Sequence, residues 1–344
     1  MTPFLQKHIS ACAIDPSHPV VKYLAKKTQA VDRGSKARRS LGNLYALLVL
    51  AEDYANGGEV STFTTLMARM KSKPFGSKLQ NHPLDNRLND EFRRMTALSD
   101  QFLPVVSETR DGKKVRRISV DLLSYNNADP AKIAEFILLV INDFAASIQD
   151  GQEEFLQELK DLHTSDDLIE FVEQIFLPNS DARLFEVVSY CLLKWHFSRQ
   201  VATFALNGEP QKSSTLKLYK TGRTNANDGG IDFVLQPVGR FFQVTEVTDF
   251  KKYFLDFDKI NRFPISFVVK TEMMSSEVVA KVRRESLTLY GEELVNPYMS
   301  LIEDITTNNE LRLICAEMSR DPSGAVQFKK DLEVNFRLEY GHYD

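Results

Sequence analysis

Three cysteines in 344 residues, Cys12, Cys191 and Cys315, are too few and too scattered for a disulfide framework or a zinc spacing, and are expected to be reduced core residues. No stretch approaches the roughly 20 apolar residues that a membrane helix needs. The start Met1-Thr2-Pro3-Phe4-Leu5-Gln6-Lys7 lacks the basic-then-apolar layout of a secretory signal, which points to the cytoplasm. Internal repeats and low-complexity tracts are absent as well. What remains is a chain of ordinary apolar and charged content, too long for one simple core and expected to form two domains.

Net charge is only −4, which looks adverse for binding a polyanion until the charge is located along the chain. Residues 1–125 hold 20 Lys and Arg against 12 Asp and Glu, whereas the remaining 219 residues hold 23 against 35. The positive charge is therefore regional and suits phosphate. The acidic run over 149–173, with Glu153, Glu154, Glu158, Asp161, Asp166, Asp167, Glu170 and Glu173, would be repelled by phosphate and is expected to face away from it.

Three places concentrate the basic residues. Arg33, Lys36, Arg38 and Arg39 lead into an apolar run over 41–50 that predicts a buried helix with cations at its N-terminal end, where backbone N–H groups also favour phosphate. Lys71, Lys73 and Lys78 surround a polar loop. Residues 102–120 have the form of a hairpin whose Asp111-Gly112 turn is flanked by Arg110, Lys113, Lys114, Arg116 and Arg117. Helices followed by a basic hairpin resemble a winged-helix arrangement, in which a helix enters the major groove and the hairpin touches the backbone.

Further along, Asp228-Gly229-Gly230-Ile231-Asp232-Phe233-Val234-Leu235 is followed, after Pro237-Val238-Gly239-Arg240, by Phe241-Phe242-Gln243-Val244-Thr245-Glu246-Val247. The pattern predicts two short antiparallel strands joined by a tight turn. Alternation puts Phe241, Gln243 and Thr245 on one face, and the hairpin can bring Asp232 beside it. A carboxylate, an amide oxygen and a hydroxyl then converge in an oxygen-rich pocket of the kind Mg²⁺ accepts. Upstream, Glu186 stands on an apolar helix in line with Tyr190, Leu193 and Phe197. A carboxylate in that setting needs a partner, which a metal, a lysine, a water or Arg183 one turn back can supply.

Asp-Gly-Gly-Ile-Asp followed by a hairpin and Gln-x-Thr resembles the core of the PD-(D/E)xK nuclease superfamily, especially its Mrr-like and type II restriction endonuclease branches. The flanking order is similar too: a helix carrying Glu186, then the hairpin, a helix near 250–261 and a strand over 265–269. The resemblance covers about residues 180–272. It implies an α/β fold with a mixed-sheet nuclease core and flanking helices, joined to the mainly helical N-terminal region. It further implies Mg²⁺ held by Asp232, Gln243 and Glu186, with Thr245 where the family pattern has a lysine that helps position the attacking water. Lys217, Lys220, Lys251 and Lys252 are the nearby replacements.

The expectation is thus of three regions: a DNA-recognition region over 1–145, an acidic helical connector over 146–180 and a catalytic region over 181–344, with 326–340 as further strand. The implied activity is Mg²⁺-dependent, sequence-specific hydrolysis of double-stranded DNA by a homodimeric type II restriction endonuclease. Without the lysine, the alternative is a DNA-binding protein on a nuclease-like core.

Overall fold

The computed structural model describes the chain except residues 1, 30–33, 59, 77–78, 80–83, 85–86, 97, 206, 208–210, 222–229, 247, 260–261 and 341–344, and the side chains of 34–36, 38–39 and 250. It divides into two units, Met1–Phe155 and Leu156–Asp344. The division falls inside a continuous helix, within what the sequence marks as an acidic connector. Among the described residues no helix is long and apolar enough to cross a membrane.

The first unit contains α1 (Pro3–Cys12), α2 (Pro19–Lys27), α3 (Gly34–Ala55), β1 (Ser61–Thr62), α4 (Phe63–Ser72), α5 (Leu88–Thr96), β2 (Val105–Arg110), β3 (Lys113–Ile118), α6 (Val120–Leu123) and the start of α7 (Pro130–Asp161). Helix α3 is its axis. Leu41, Leu44, Tyr45, Leu47, Leu48 and Leu50 are all buried, and a helix that is apolar around most of its circumference must be enclosed. Helix α7 contributes Ile133, Phe136, Ile137, Val140, Ile141 and Phe144 to the same core, at the spacing of one helical stripe.

Beside this core the strands form an antiparallel sheet in the order β1-β3-β2. The β2–β3 turn is Asp111-Gly112, both at positive φ, as a two-residue hairpin turn that follows the sheet twist requires. The side chain of Asn89 on α5 donates to the Val105 carbonyl and accepts from the Val105 N–H, each at 2.9 Å. One amide thus completes the first residue of β2 and ties α5 to the hairpin.

The second unit contains α8 (Ser165–Phe176), α9 (Ala182–Ser198), β4 (Val201–Phe204), β5 (Lys212–Thr215), β6 (Lys217–Lys220), β7 (Phe233–Gln236), β8 (Arg240–Thr245), α10 (Phe250–Lys259), β9 (Ile265–Val269), α11 (Ser275–Tyr290), α12 (Glu292–Met299), β10 (Ile302–Thr307), α13 (Asn308–Ser319) and α14 (Pro322–Tyr340). Its main sheet has the order β10-β9-β8-β7-β6, with β8, β9 and β10 parallel and β6, β7 and β8 antiparallel. Helix α9 packs on one face, where Tyr190 meets Phe233 and Phe197 meets Phe242. Helix α10 packs on the other through Tyr253 and Phe257 against Phe267. This is a mixed helix-and-sheet architecture.

Residues 326–340, expected as strand, are the body of α14. Phe328, Leu332, Phe336 and Tyr340 are the buried apolar side chains there; a strand would bury Lys330, Val334 and Leu338 on the same face, but these are exposed, as a helical stripe at four-residue spacing requires.

A single carboxylate organises the polar interior of the first unit. Glu91 accepts from Lys27 Nζ at 2.5 Å, from Tyr23 Oη at 3.1 Å and from Asn43 Nδ2. Burial alone would raise its carboxyl, but these hydrogen bonds and the Lys27 charge outweigh burial and hold it below the usual carboxylate range. A depressed pKa contributes stability above the unfolded-state value and loses it as pH falls through the folded one. Glu91→Ala is therefore expected to cost about 3 kcal/mol in urea unfolding followed by circular dichroism at pH 7, since it strands three buried donors. The difference from wild type should shrink below about pH 4; a pH-independent difference would show that the charge of Glu91 is unimportant.

Candidate functional site

Strands β6, β8 and β9 finish, and β7 begins, at one end of the main sheet. The β7–β8 pairs stop at Phe233 with Phe242. Just beyond, Asp232 donates its N–H to the Phe242 carbonyl at 2.8 Å, and its Oδ2 accepts from Val244 N at 2.6 Å. The two bonds bracket Gln243, so the predicted meeting of Asp232 and Gln243 is present. Both the approach and the aim of the carboxylate are fixed by backbone.

Gln243 pairs along the ladder with Phe267 and Thr245 with Val269, residues that lie beneath α10. Gln243 is 8% exposed. Its Nε2 donates to the Val244 carbonyl at 3.1 Å, while Oε1 is buried with no hydrogen-bond partner among the described residues. A buried amide oxygen without a donor costs on the order of 1–3 kcal/mol. Thr245 is buried beside it.

Gly230 completes this corner at a φ of +84°, where a side chain would be strained. A Cβ there would lie 3.5 Å from Gln243 Oε1, 3.6 Å from Asp256 Oδ1 and 3.3 Å from Lys259 Cδ. Asp228 and Gly229, the first residues of the motif, lie outside the described residues.

Glu186 sits on the opposite face, on α9. Its carboxylate meets Lys220 Nζ at 2.8 Å, and Lys220 also approaches Glu339 at 3.8 Å, while Arg183 turns to Glu339 at 3.4 Å. Of the partners open to Glu186 in the sequence, the structure shows a lysine. Lys220 stands opposite Phe233, and the next residue, Thr221, donates its N–H to the Asp232 carbonyl at 3.0 Å. The Glu186–Lys220 pair thus lies one residue along the ladder from Asp232.

Of the other lysines proposed as replacements, Lys217 pairs with Gln236 at the far end of β6, Lys251 is exposed, and Lys252 bonds Asp256 Oδ2 at 3.0 Å. Sequence reasoning missed three charged groups here. Asp256, 1% exposed, bonds Lys259 as well as Lys252. Lys270, at the end of β9, is held by Ser180 Oγ at 2.6 Å and Glu246 at 3.1 Å, and its N–H meets the Thr245 carbonyl at 2.9 Å. A lysine following a mostly apolar strand was the available signal for Lys270.

Asp232 and Gln243 offer a metal a backbone-fixed carboxylate and an unpartnered oxygen, which suits a hard cation. Glu186 offers a carboxylate already paired with an ammonium. Among the described residues no group of three or more His, Cys, Asp or Glu is gathered closely enough to hold a metal by itself. A cavity of about 400 Å³ at the opposite end of the sheet, lined by Phe197, Leu235, Arg240 and Phe263, includes none of these groups.

In the first unit, Lys113 and Lys114 are exposed beside the hairpin turn. Arg110 meets Glu108 at 2.8 Å and Arg117 approaches the same carboxylate at 3.8 Å. Arg116 is 7% exposed, with its guanidinium 5.0 Å above the Phe63 ring, so it faces the protein rather than solvent. Lys71 is exposed, whereas Lys73 is paired with Glu52. Lys78 and the side chains of Arg38 and Arg39 lie outside what the structure describes. The sequence reading overlooked Arg87, Arg93 and Arg94, exposed in and just before α5; their i, i+3 and i+4 spacings with Asp90 read as an ordinary solvated helix face.

No family model matches the chain, nor does any curated protein or any solved structure.

If the orphaned oxygen of Gln243 is retained for something other than folding, removing it will not harm the fold. Gln243→Met is expected to leave thermal stability unchanged or raise it by about 1 kcal/mol. A loss of more than that in calorimetry would mean the amide is a structural support.

Proposed function

We propose that the chain is a Mg²⁺-dependent endodeoxyribonuclease of the type II restriction kind, with its hydrolytic site at Asp232 and Gln243. The observation that carries this reading is the bracketed Asp232–Gln243 pair with its buried, unpartnered amide oxygen. Supporting it is the order of elements around that pair: helix α9, the antiparallel β7–β8 hairpin, helix α10 and the parallel strand β9, as the PD-(D/E)xK resemblance requires.

In this reading Val244 N–H holds the Asp232 carboxylate in one orientation, and α10 excludes water from the Gln243 side. When bound, Mg²⁺ supplies charge stabilisation on the phosphoryl oxygens and lowers the pKa of the attacking water. Thr245 brings no cation, but Lys220, Lys252 and Lys270 end at or beside the same edge of the sheet. Cutting both strands of a palindromic target is most simply done by a two-fold dimer.

The first unit suits duplex recognition. Its order helix, strand, helix, helix, hairpin, with strands arranged β1-β3-β2, resembles a winged-helix arrangement. Helix α5, with Arg87 and Arg94, corresponds to the groove helix and is braced on the hairpin by Asn89. Lys113 and Lys114, with Arg117, form the part that meets phosphate, while Arg116 maintains the hairpin. Thr245 in place of lysine favours one second reading, a protein that binds DNA on a nuclease-like core without cutting it.

The deciding experiment incubates the purified protein with plasmid and phage DNA in Mg²⁺ or EDTA, alongside Asp232→Asn. Asparagine keeps an acceptor for Val244 N–H, so the fold is retained. Discrete fragments that require both the metal and Asp232 are expected; tight, salt-sensitive binding with no cleavage would select the second reading. Separately, replacing Lys113, Lys114 and Arg117 by Ala should flatten the salt dependence of DNA binding by about one unit of log–log slope per lost phosphate contact. An unchanged slope would remove the hairpin from the interface.

A further inference from the structure

Asp256 is the most enclosed carboxylate among the described residues of the second unit and takes no part in the proposed reaction. It lies on α10 at 1% exposure, with Lys259 Nζ 2.7 Å from Oδ1 and Lys252 Nζ 3.0 Å from Oδ2. A helix-surface ion pair needs neither this burial nor two cations for one anion. The lysines are much less enclosed than the carboxylate they serve, and Lys259 is 42% exposed, free to swing its ammonium into water along its flexible stem.

The space beside Asp256 is kept open by the backbone. Gly230 is the point from which Gln243 Oε1, Asp256 Oδ1 and the Lys259 stem are all within 3.6 Å of where a side chain would begin. Gln243, more than nine-tenths buried, turns its unpartnered oxygen into that space. Tyr253, its ring tilted against the Phe267 that neighbours Gln243 in the ladder, has a second buried oxygen with no hydrogen-bond partner among the described residues. Burial, with the charge of Asp256 adding to it, pushes the Tyr253 phenol up, so it remains a neutral hydroxyl. The corner therefore holds a carboxylate and an uncommitted amide oxygen, closed by a lysine that can leave.

We propose that Asp256 is a carboxylate ligand for a divalent cation shared with Gln243, and that Lys259 occupies the cation's place until the metal arrives. This rests on reading Asp232 and Gln243 as a hard-metal site and adds a ligand from a different element of the fold. The lysine and the metal then compete for one buried anion, which a purely structural Asp256 would not require.

Mn²⁺ titrated calorimetrically into the full chain tests this with wild type, Asp232→Asn, Asp256→Asn and Lys259→Met, thermal unfolding being followed without metal. Asp256→Asn is expected to weaken Mn²⁺ binding by at least about tenfold, and Lys259→Met to tighten it several-fold, because its competitor is gone. Wild-type affinity in Asp256→Asn, with affinity lost in Asp232→Asn, overturns the proposal and leaves the nuclease site standing. Absence of Mn²⁺ binding in the wild type, or binding indifferent to Asp232, removes both. If Asp256→Asn does not fold, Lys259→Met decides alone: unchanged or weaker affinity overturns the proposal.

Discussion

Strand β8 has a partner on each side, antiparallel β7 and parallel β9, and the rest of the second unit depends on that double pairing. A strand with no open edge has its backbone polar groups committed, so chemistry is left to its side chains and to whatever lies just past the last paired residue. There the Val244 N–H has run beyond the β7 ladder, and a side-chain carboxylate takes it. The bond satisfies the end of a buried strand and, by the same geometry, fixes Asp232. The glycine beside it is required by its φ of +84°, which a residue with a Cβ adopts only under strain.

The two faces of the sheet manage charge differently. Against α9, Glu186, Lys220, Arg183 and Glu339 form a chain of opposite charges suited to holding helix and strand together. Against α10, the Gln243 and Tyr253 oxygens are buried without a hydrogen-bond partner among the described residues, and the cations that reach Asp256 come from partly exposed lysines.

Much of this was legible in the sequence because it is written in short-range pattern. The β7–β8 turn, the strand over 265–269 and the helices around Glu186 and near 250–261 each carry their own periodicity or punctuation. The bracketing of Gln243 by Asp232 followed from antiparallel pairing. Asp256 did not, because Lys252, Asp256 and Lys259 at helical spacings look like any solvated face; only the closeness of β8 makes that carboxylate interior. Burial also separates Arg116 from its hairpin neighbours: alternation alone turns one residue of the basic run inward, but sequence does not say which face Phe63 covers. The tail was misread for a related reason, since α14 is held by a stripe recurring every four residues, which an apolar-rich segment hides from inspection by eye.

Glu108 on the first-unit hairpin has a consequence for kinetics rather than for shape. It already neutralises Arg110 and restrains Arg117, so an anion reaching these arginines exchanges one carboxylate for another oxygen ligand instead of meeting unclaimed charge. On the proposed DNA-binding reading, Lys113 and Lys114, beside the turn, carry the long-range attraction and govern how often an encounter occurs. The arginines act later, through how long the encounter lasts, because leaving means restoring a contact that Glu108 holds ready.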